Sequence, residues 1–145
     1  MGIREHILGS ALVASASLGS VTSAAAQVPV ALHSTVLVER TADNTRILEP
    51  ASRLTRGDRV VTVLAWCSVP GQNFTLTNPM PRDVAYQGSS SGDEDVSVDG
   101  GRSWGKLGTL RIGQRLATPE DVTHVRWRIQ SARAEGRITY SAIVR

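Results

Sequence analysis

Short runs of β-branched and apolar residues, separated by turn signals, are the feature that most constrains how this chain can fold. After residue 26 no stretch has the apolar period of an amphipathic helix. Near the end, Val125, Trp127 and Ile129 alternate with Arg and Gln, which is typical of a strand with one buried face. The pattern predicts an all-β, antiparallel sandwich of about 7–9 strands.

The predicted strands are distributed over the whole chain after residue 34. In the longest apolar run, Arg59 to Cys67, both alternate sets of positions are apolar, so we expect a central strand covered on both faces. Cys67 is then a buried small hydrophobic residue. Thr118 followed by Pro119 predicts a single helical turn. The full set of predicted strands is 35–39, 46–49, 59–67, 73–77, 84–86, 96–98, 107–112, 125–130 and 137–144.

The beginning of the chain differs in composition from the rest. Residues 7–23 are uncharged, and Ala24-Ala25-Ala26 supplies the small residues that a signal peptidase recognises. The many Ser and Gly residues argue against a membrane anchor, and the lack of a charged face argues against a core helix. We expect a signal peptide over 1–26, cleaved between Ala26 and Gln27, and one domain over 27–145. The mature protein is then exported to the periplasm, cell surface or medium, and meets the membrane only through the transient signal peptide.

Length, charge and cysteine content exclude several function classes. A chain of 145 residues is too short for a propeller, an α/β-hydrolase or a TIM barrel. The net charge of +3 is spread along the chain rather than clustered, so nucleic acid is not an expected partner. A single cysteine excludes an internal disulfide and a zinc site built on several cysteines. We expect no cofactor.

Gly88-Ser89-Ser90-Ser91-Gly92 has the G-x-S-x-G spacing of a hydrolase nucleophile. That nucleophile needs a strand before it and a helix after it. Here an acidic segment and a predicted strand follow instead, although His124 and several Asp residues could complete a triad on paper. A polar loop is the favoured interpretation, so no catalytic residue is assigned and the chain is not expected to be an enzyme.

The acidic segment resembles the first half of a calcium loop. Asp95, Ser97 and Asp99 supply oxygens at its first, third and fifth positions, and glycine follows at the sixth. The twelfth position is Lys106, where a bidentate carboxylate is required. No metal site is therefore assigned, and Asp93, Asp95 and Asp99 stay open only as surface calcium candidates.

Residues 97–104, Ser-Val-Asp-Gly-Gly-Arg-Ser-Trp, resemble the Asp-box S-x-D-x-G-x-[TS]-W of sialidase-like propellers and other secreted β proteins. In this motif the Asp and Ser side chains bind turn amides, and the Trp packs the hairpin on the sheet. In sialidases the box lies away from the catalytic site. The resemblance implies a well-formed hairpin and no catalysis.

An ordered set of motifs resembles the bacterial surface-repeat domain of unknown function number eleven. The resemblance covers nearly all of the chain after residue 35 and implies an exported, immunoglobulin-like sandwich, often found in tandem in surface proteins, without established catalytic residues. The chain departs from the family in carrying one copy and a shortened connection over 67–71. The motifs are Arg56-Gly57-Asp58-Arg59-Val60-Val61, Asn73-Phe74-Thr75-Leu76-Thr77-Asn78-Pro79-Met80-Pro81, Val84-Ala85-Tyr86, the hairpin 97–104, Asp121-Val122-Thr123-His124-Val125-Arg126-Trp127 and the final strand.

Two functions remain open at this point. The first is a non-catalytic envelope module with a structural or adhesive role, whose loop tips bind an envelope protein or polysaccharide. The second is a secreted carbohydrate- or calcium-binding module that uses residues 88–104. Only 4% of the residues are aromatic, so Trp66, Tyr86, Trp104 and Trp127 are expected to serve the core before they serve a sugar platform.

Overall fold

The computed structural model describes residues 29–130 and 132–145, and this part of the chain is an antiparallel β-sandwich. The predicted fold class is confirmed. The predicted signal peptide, with its cleavage position between Ala26 and Gln27, lies outside the described residues. Within the described ranges, no helix is long and apolar enough to cross a membrane.

The described residues form ten strands and one short 3-10 turn. That turn, Pro119–Asp121 with Thr118 as its N-cap, lies where the capping pattern predicts it. Strand β1 is longer than predicted and joins β2 through the two-residue turn Asp43-Asn44, both at positive φ. The strands are β1 (Ala31–Ala42), β2 (Thr45–Pro50), β3 (Arg59–Cys67), β4 (Asn73–Pro79), β5 (Val84–Ser89), β6 (Asp95–Ser97), β7 (Arg111–Ile112), β8 (Arg115–Leu116), β9 (His124–Gln130) and β10 (Glu135–Val144).

Two sheets of unequal size make the sandwich. The large sheet has five strands in the order β2-β1-β3-β10-β5, and the small sheet has three in the order β4-β9-β6. Strands β7 and β8 form a separate short hairpin. The chain changes sheet at each step from β3 to β6 and again between β9 and β10, so strands that are close in sequence face each other across the core.

The core lies where β3 and β10 face β4 and β9. Trp127 on β9 is only 1% exposed, and its ring centroid lies 5.9 Å from that of Tyr140 on β10. Trp66 on β3 meets Phe74 on β4 edge-on, also at 5.9 Å. The Asn78 side-chain amide donates a 2.7 Å hydrogen bond to the Tyr140 hydroxyl. Aromatic packing and one polar contact therefore hold the small sheet over β3 and β10.

Strand β3 is central, as predicted, but within residues 29–130 and 132–145 only one of its faces is covered. Residues that alternate along its inner face, such as Leu64, are buried, whereas Val61 and Val63 on the outer face are half-buried and Cys67 is exposed. The neighbouring strands β1 and β10 half-bury the valines without a second layer. The apolar run reflects the β propensity of valine, so the expectations of two-sided burial and of a buried Cys67 were wrong.

We predict that Trp127→Ala lowers the free energy of unfolding by about 3–5 kcal/mol, because a fully buried ring is replaced by a cavity. Urea denaturation followed by circular dichroism measures this loss. Leu116→Ala is the control: Leu116 is 50% exposed, so its loss should stay below about 0.5 kcal/mol. If the two variants lose the same stability, Trp127 is not a core residue.

Candidate interaction surface

The Asp-box segment forms a tight turn after β6, and the Asp99 carboxylate holds it together. Its Oδ1 accepts hydrogen bonds from the Ser97 hydroxyl (2.8 Å) and the Ser103 amide (2.9 Å). Its Oδ2 accepts from the Ser103 hydroxyl at 2.6 Å. The indole N–H of Trp104 donates to the Gly101 carbonyl at 2.9 Å. All these contacts lie within the turn, so the motif has the structural role that its sequence predicts.

The hydrogen bonds within the turn shift the acidity of Asp99. The Ser103 hydroxyl, followed by the Ser103 amide and the Ser97 hydroxyl, lowers the pKa of Asp99 far below its ordinary value. Both carboxylate oxygens already accept hydrogen bonds from the protein. Calcium binding by this carboxylate would require some of these bonds to break.

Asp95, the second calcium candidate, binds three cationic side chains. Its Oδ2 lies 3.1 Å from Arg126 Nη2 and 3.0 Å from Arg128 Nη1, and its Oδ1 lies 3.6 Å from Lys106 Nζ. The hydrogen bond from Arg126 is the largest cause of the lowered pKa of Asp95. The Lys106 ammonium also donates to the backbone carbonyl of Asp93 at 2.6 Å. The cationic side chains of the protein therefore already neutralise the Asp95 carboxylate, and Lys106 binds the Asp93 carbonyl oxygen beside it.

Glu94 joins the end of β5 to the acidic segment. Its carboxylate accepts hydrogen bonds from the Tyr86 hydroxyl and the Ser89 hydroxyl, both at 2.5 Å. Burial raises the pKa of Glu94, but these two bonds outweigh it and the net pKa lies below the ordinary value. Burial, followed by the bond to Glu94, raises the pKa of Tyr86.

The G-x-S-x-G segment does not have the geometry of a nucleophile elbow. The chain passes from β5 through bends into β6, where the elbow needs a helix. Ser89 is hydrogen-bonded to Glu94, and the Ser90 hydroxyl accepts the Thr139 amide at 3.2 Å. In the part of the chain that the structure describes, no three His, Cys, Asp or Glu side chains are arranged to hold a metal ion.

Apolar side chains are exposed where the small sheet stops covering the large one. Val36 on β1, Thr62 on β3 and Tyr140 on β10 lie opposite one another and so share the inner face. Thr62 and Tyr140 are buried, but Val36 is 43% exposed. In the same way Leu32 is 54% exposed beside the buried Trp66. The cover of the inner face therefore ends between β3 and β1 at these positions.

A groove follows this boundary, with a volume of about 240 Å³. Val36 lies on its β1 side, Asn78 and Met80 lie on its β4 side, and Leu54 from the β2–β3 connection also lines it. None of the described residues that line it is charged. We call this feature the β1–β4 groove.

Strand β4 borders the groove with an unpaired edge. Among the described residues it pairs only with β9. The Met80 amide donates to the Thr123 carbonyl beside β9, and amides alternate in direction along a strand. The amides of Thr75 and Thr77 therefore point away from β9, towards the free edge. No charged residue occurs in Asn73–Pro79, so this edge lacks the charges that commonly prevent strand pairing.

A second hollow, of about 740 Å³, lies at the opposite end of the large sheet and is lined in part by Cys67. On the outer face of the sheet, Ala65 lies between His33 and Arg137 in register, and Cys67 lies between Ala31 and Glu135. Leu32 and Trp66 of the inner face also line the hollow, together with ionisable side chains such as Glu135 and Arg137. Its charged lining contrasts with the uncharged β1–β4 groove.

The exposed apolar surface was not predicted from the sequence, which placed a functional surface at the loop tips. Val36 and Leu32 occupy alternate positions that predict one buried strand face. An uncharged sequence alone does not single out β4, because the edge strand β5 is uncharged as well, whereas the edge strand β2 carries Arg46 and Glu49.

We predict that Asp99→Asn lowers the stability of the fold at neutral pH and that this difference shrinks in acid. A folded pKa below the ordinary 3.8 stabilises the fold fully above that pH and loses its effect as the pH falls through the folded pKa. Thermal unfolding of both proteins between neutral and strongly acidic pH measures the difference. A gap in melting temperature that does not depend on pH would contradict the role of the Asp99 charge.

No family model, curated protein or solved structure matches this chain. The resemblance to the surface-repeat domain of unknown function number eleven therefore stays a prediction. What supports a function is the chemistry of the chain's own surface.

Proposed function

We propose that this protein is an exported bacterial β-sandwich module with a structural or adhesive role in the cell envelope, and that it acts by binding rather than by catalysis. The observation that carries the proposal is the exposure of Val36 and Leu54 in the β1–β4 groove beside the uncharged edge of β4, with Leu32 exposed farther along the inner face of β1. Exposed apolar groups next to an unpaired strand are typical of a protein-binding site. The expected partner is therefore an envelope protein rather than a polysaccharide.

The internal contacts of residues 88–104 support a structural role for that segment. The carboxylates of Glu94, Asp95 and Asp99 all have partners within the protein. The Arg126 guanidinium lies 4.2 Å from the centroid of the Trp104 ring, so a sugar that stacked on that face would have to displace it. The carbohydrate- or calcium-binding alternative gains no support from these contacts.

Export is proposed from the composition of residues 1–26 and gives the first test. The full chain with a C-terminal tag is expressed in a bacterium, the cells are fractionated, and the tagged product is sequenced from its N-terminus. We expect a product outside the cytoplasm that begins at Gln27. A cytoplasmic product that retains Met1 would contradict the proposal.

The binding role gives the second test. A photo-crosslinking amino acid is placed at Leu32, on the exposed inner face, and in a separate protein at Leu116, which is equally exposed on the β7–β8 hairpin. After irradiation of intact cells, we expect discrete adducts with envelope proteins from position 32 and few from position 116. Equal adduct yields from both positions would show that the inner face is not a preferred contact surface.

A further inference from the structure

We infer that the β1–β4 groove is a strand-addition site: an extended, uncharged segment of another envelope protein pairs with the outer edge of β4 and covers Val36 and Leu54. This inference rests on the binding role proposed above and adds the mode of recognition and the chemistry of the partner. In strand addition, main-chain hydrogen bonds supply affinity and side-chain contacts supply specificity.

The backbone of β4 supplies the first half of the site. Thr75 and Thr77 are exposed, and their amides point towards the free edge. Each presents an N–H and a C=O in the alternation that an antiparallel or parallel strand requires. Pro79, which has no N–H, lies only at the end of β4, so it leaves the middle of this edge intact.

The inner face of β1 supplies the second half. Contacts of Phe74 with Trp66 and of Asn78 with Tyr140 place β4 over β3 and β10. Neighbouring strands lie about 4.8 Å apart within a sheet. An added strand on the outer side of β4 would therefore lie over β1, where Val36 is 43% exposed.

The polarity of the groove determines what the added segment carries. The described residues that line it are uncharged, and Val36, Leu54 and Met80 are apolar. A charged side chain placed there would lose its hydration without gaining a partner. The segment therefore presents apolar side chains at alternate positions and carries no charge over about six residues, the usual length of one strand.

A second copy of this chain does not supply such a segment from its edge strands. On β2, Arg46 and Leu48 share one face, and Ile47 and Glu49 share the other, so either orientation turns a charge into the groove. On β5 and on β4, apolar side chains such as Tyr86 and Leu76 are already buried in their own sandwich. The occupant is accordingly a segment of a different protein.

The test uses an uncharged capped peptide of about six residues, with alternating Val and Thr. It is added to the chain at millimolar concentration and, in a second sample, fused to Arg145 through a Gly/Ser linker. The C-terminal end is suitable because Ala142 lines the groove and the Val144 amide bonds to Asp58 nearby. Fusion raises the effective concentration of the peptide to the millimolar range. Hydrogen exchange of the individual amides is followed by NMR.

In the free chain, the Thr75 and Thr77 amides should exchange quickly, as expected for an unpaired edge. With the peptide, both should exchange at least about tenfold more slowly, as paired amides do. Val36→Asp should abolish this protection. Leu48→Asp, on the outer face of β2, is the matched control and should retain it.

Four results would overturn the inference. They are unchanged exchange with the fused peptide, equal protection in Val36→Asp, protection in the free monomer, and protection without peptide that grows with protein concentration. The third would mean that the chain itself covers the edge, and the fourth that a second copy does. If the groove fails these tests while position 32 still crosslinks to envelope proteins, strand addition is wrong and the binding role stands.

Discussion

Packing of a three-stranded sheet against a five-stranded sheet is the constraint on which the rest of this structure depends. The ring contacts of Trp66 with Phe74 and of Trp127 with Tyr140 hold the small sheet over β3 and β10. A side chain at Gly136 would collide with the Trp66 ring, so glycine there lets the indole lie against β10. Three strands cannot cover five, so much of β1 and β2 is not packed against the small sheet.

The acidic segment and the Asp-box turn that follows it stabilise the same packing of the two sheets from the side of the small sheet. Arg126 on β9 binds Asp95 on β6 and also stacks on the Trp104 ring, so one side chain joins strand pairing to the Asp-box turn. Lys106 binds the oxygens that a calcium ion would otherwise neutralise. Side chains that suggest ion chemistry in the sequence therefore act as internal cross-links, and the surface best suited to a partner is apolar.

Sequence patterns predicted most of the strands, but they did not predict what covers them. The predicted strand 107–112 was wrong over residues 107–110, where the chain forms a turn, and only Arg111–Ile112 is a strand. The alternation around Trp127 correctly identified a buried face of β9, because the large sheet packs against it. The same kind of alternation at Leu32 and Val36 ends in exposure, because burial of β1 depends on how many strands the opposite sheet contains. The prediction that Cys67 is buried failed for a related reason: β-branched neighbours favour a strand whether or not a second layer covers it. Strand propensity depends on the local sequence, whereas burial of a strand face depends on which strands the topology places opposite it.

Two features together support a binding role for the β4 edge: it is uncharged, as is the β5 edge, and it borders the apolar β1–β4 groove. Strand β2 is exposed on both faces, and it carries Arg46 and Glu49; charged side chains are a usual means of preventing edge-to-edge association. Strand β4 borders an apolar groove and carries none of these charges. If avoiding aggregation were the only constraint on both strands, we would expect charged residues on β4, because its edge lies beside an exposed apolar groove. An added strand would bury the groove and stabilise the fold by an amount that rises with the logarithm of its concentration above Kd, so binding and completion of the sandwich would be a single event.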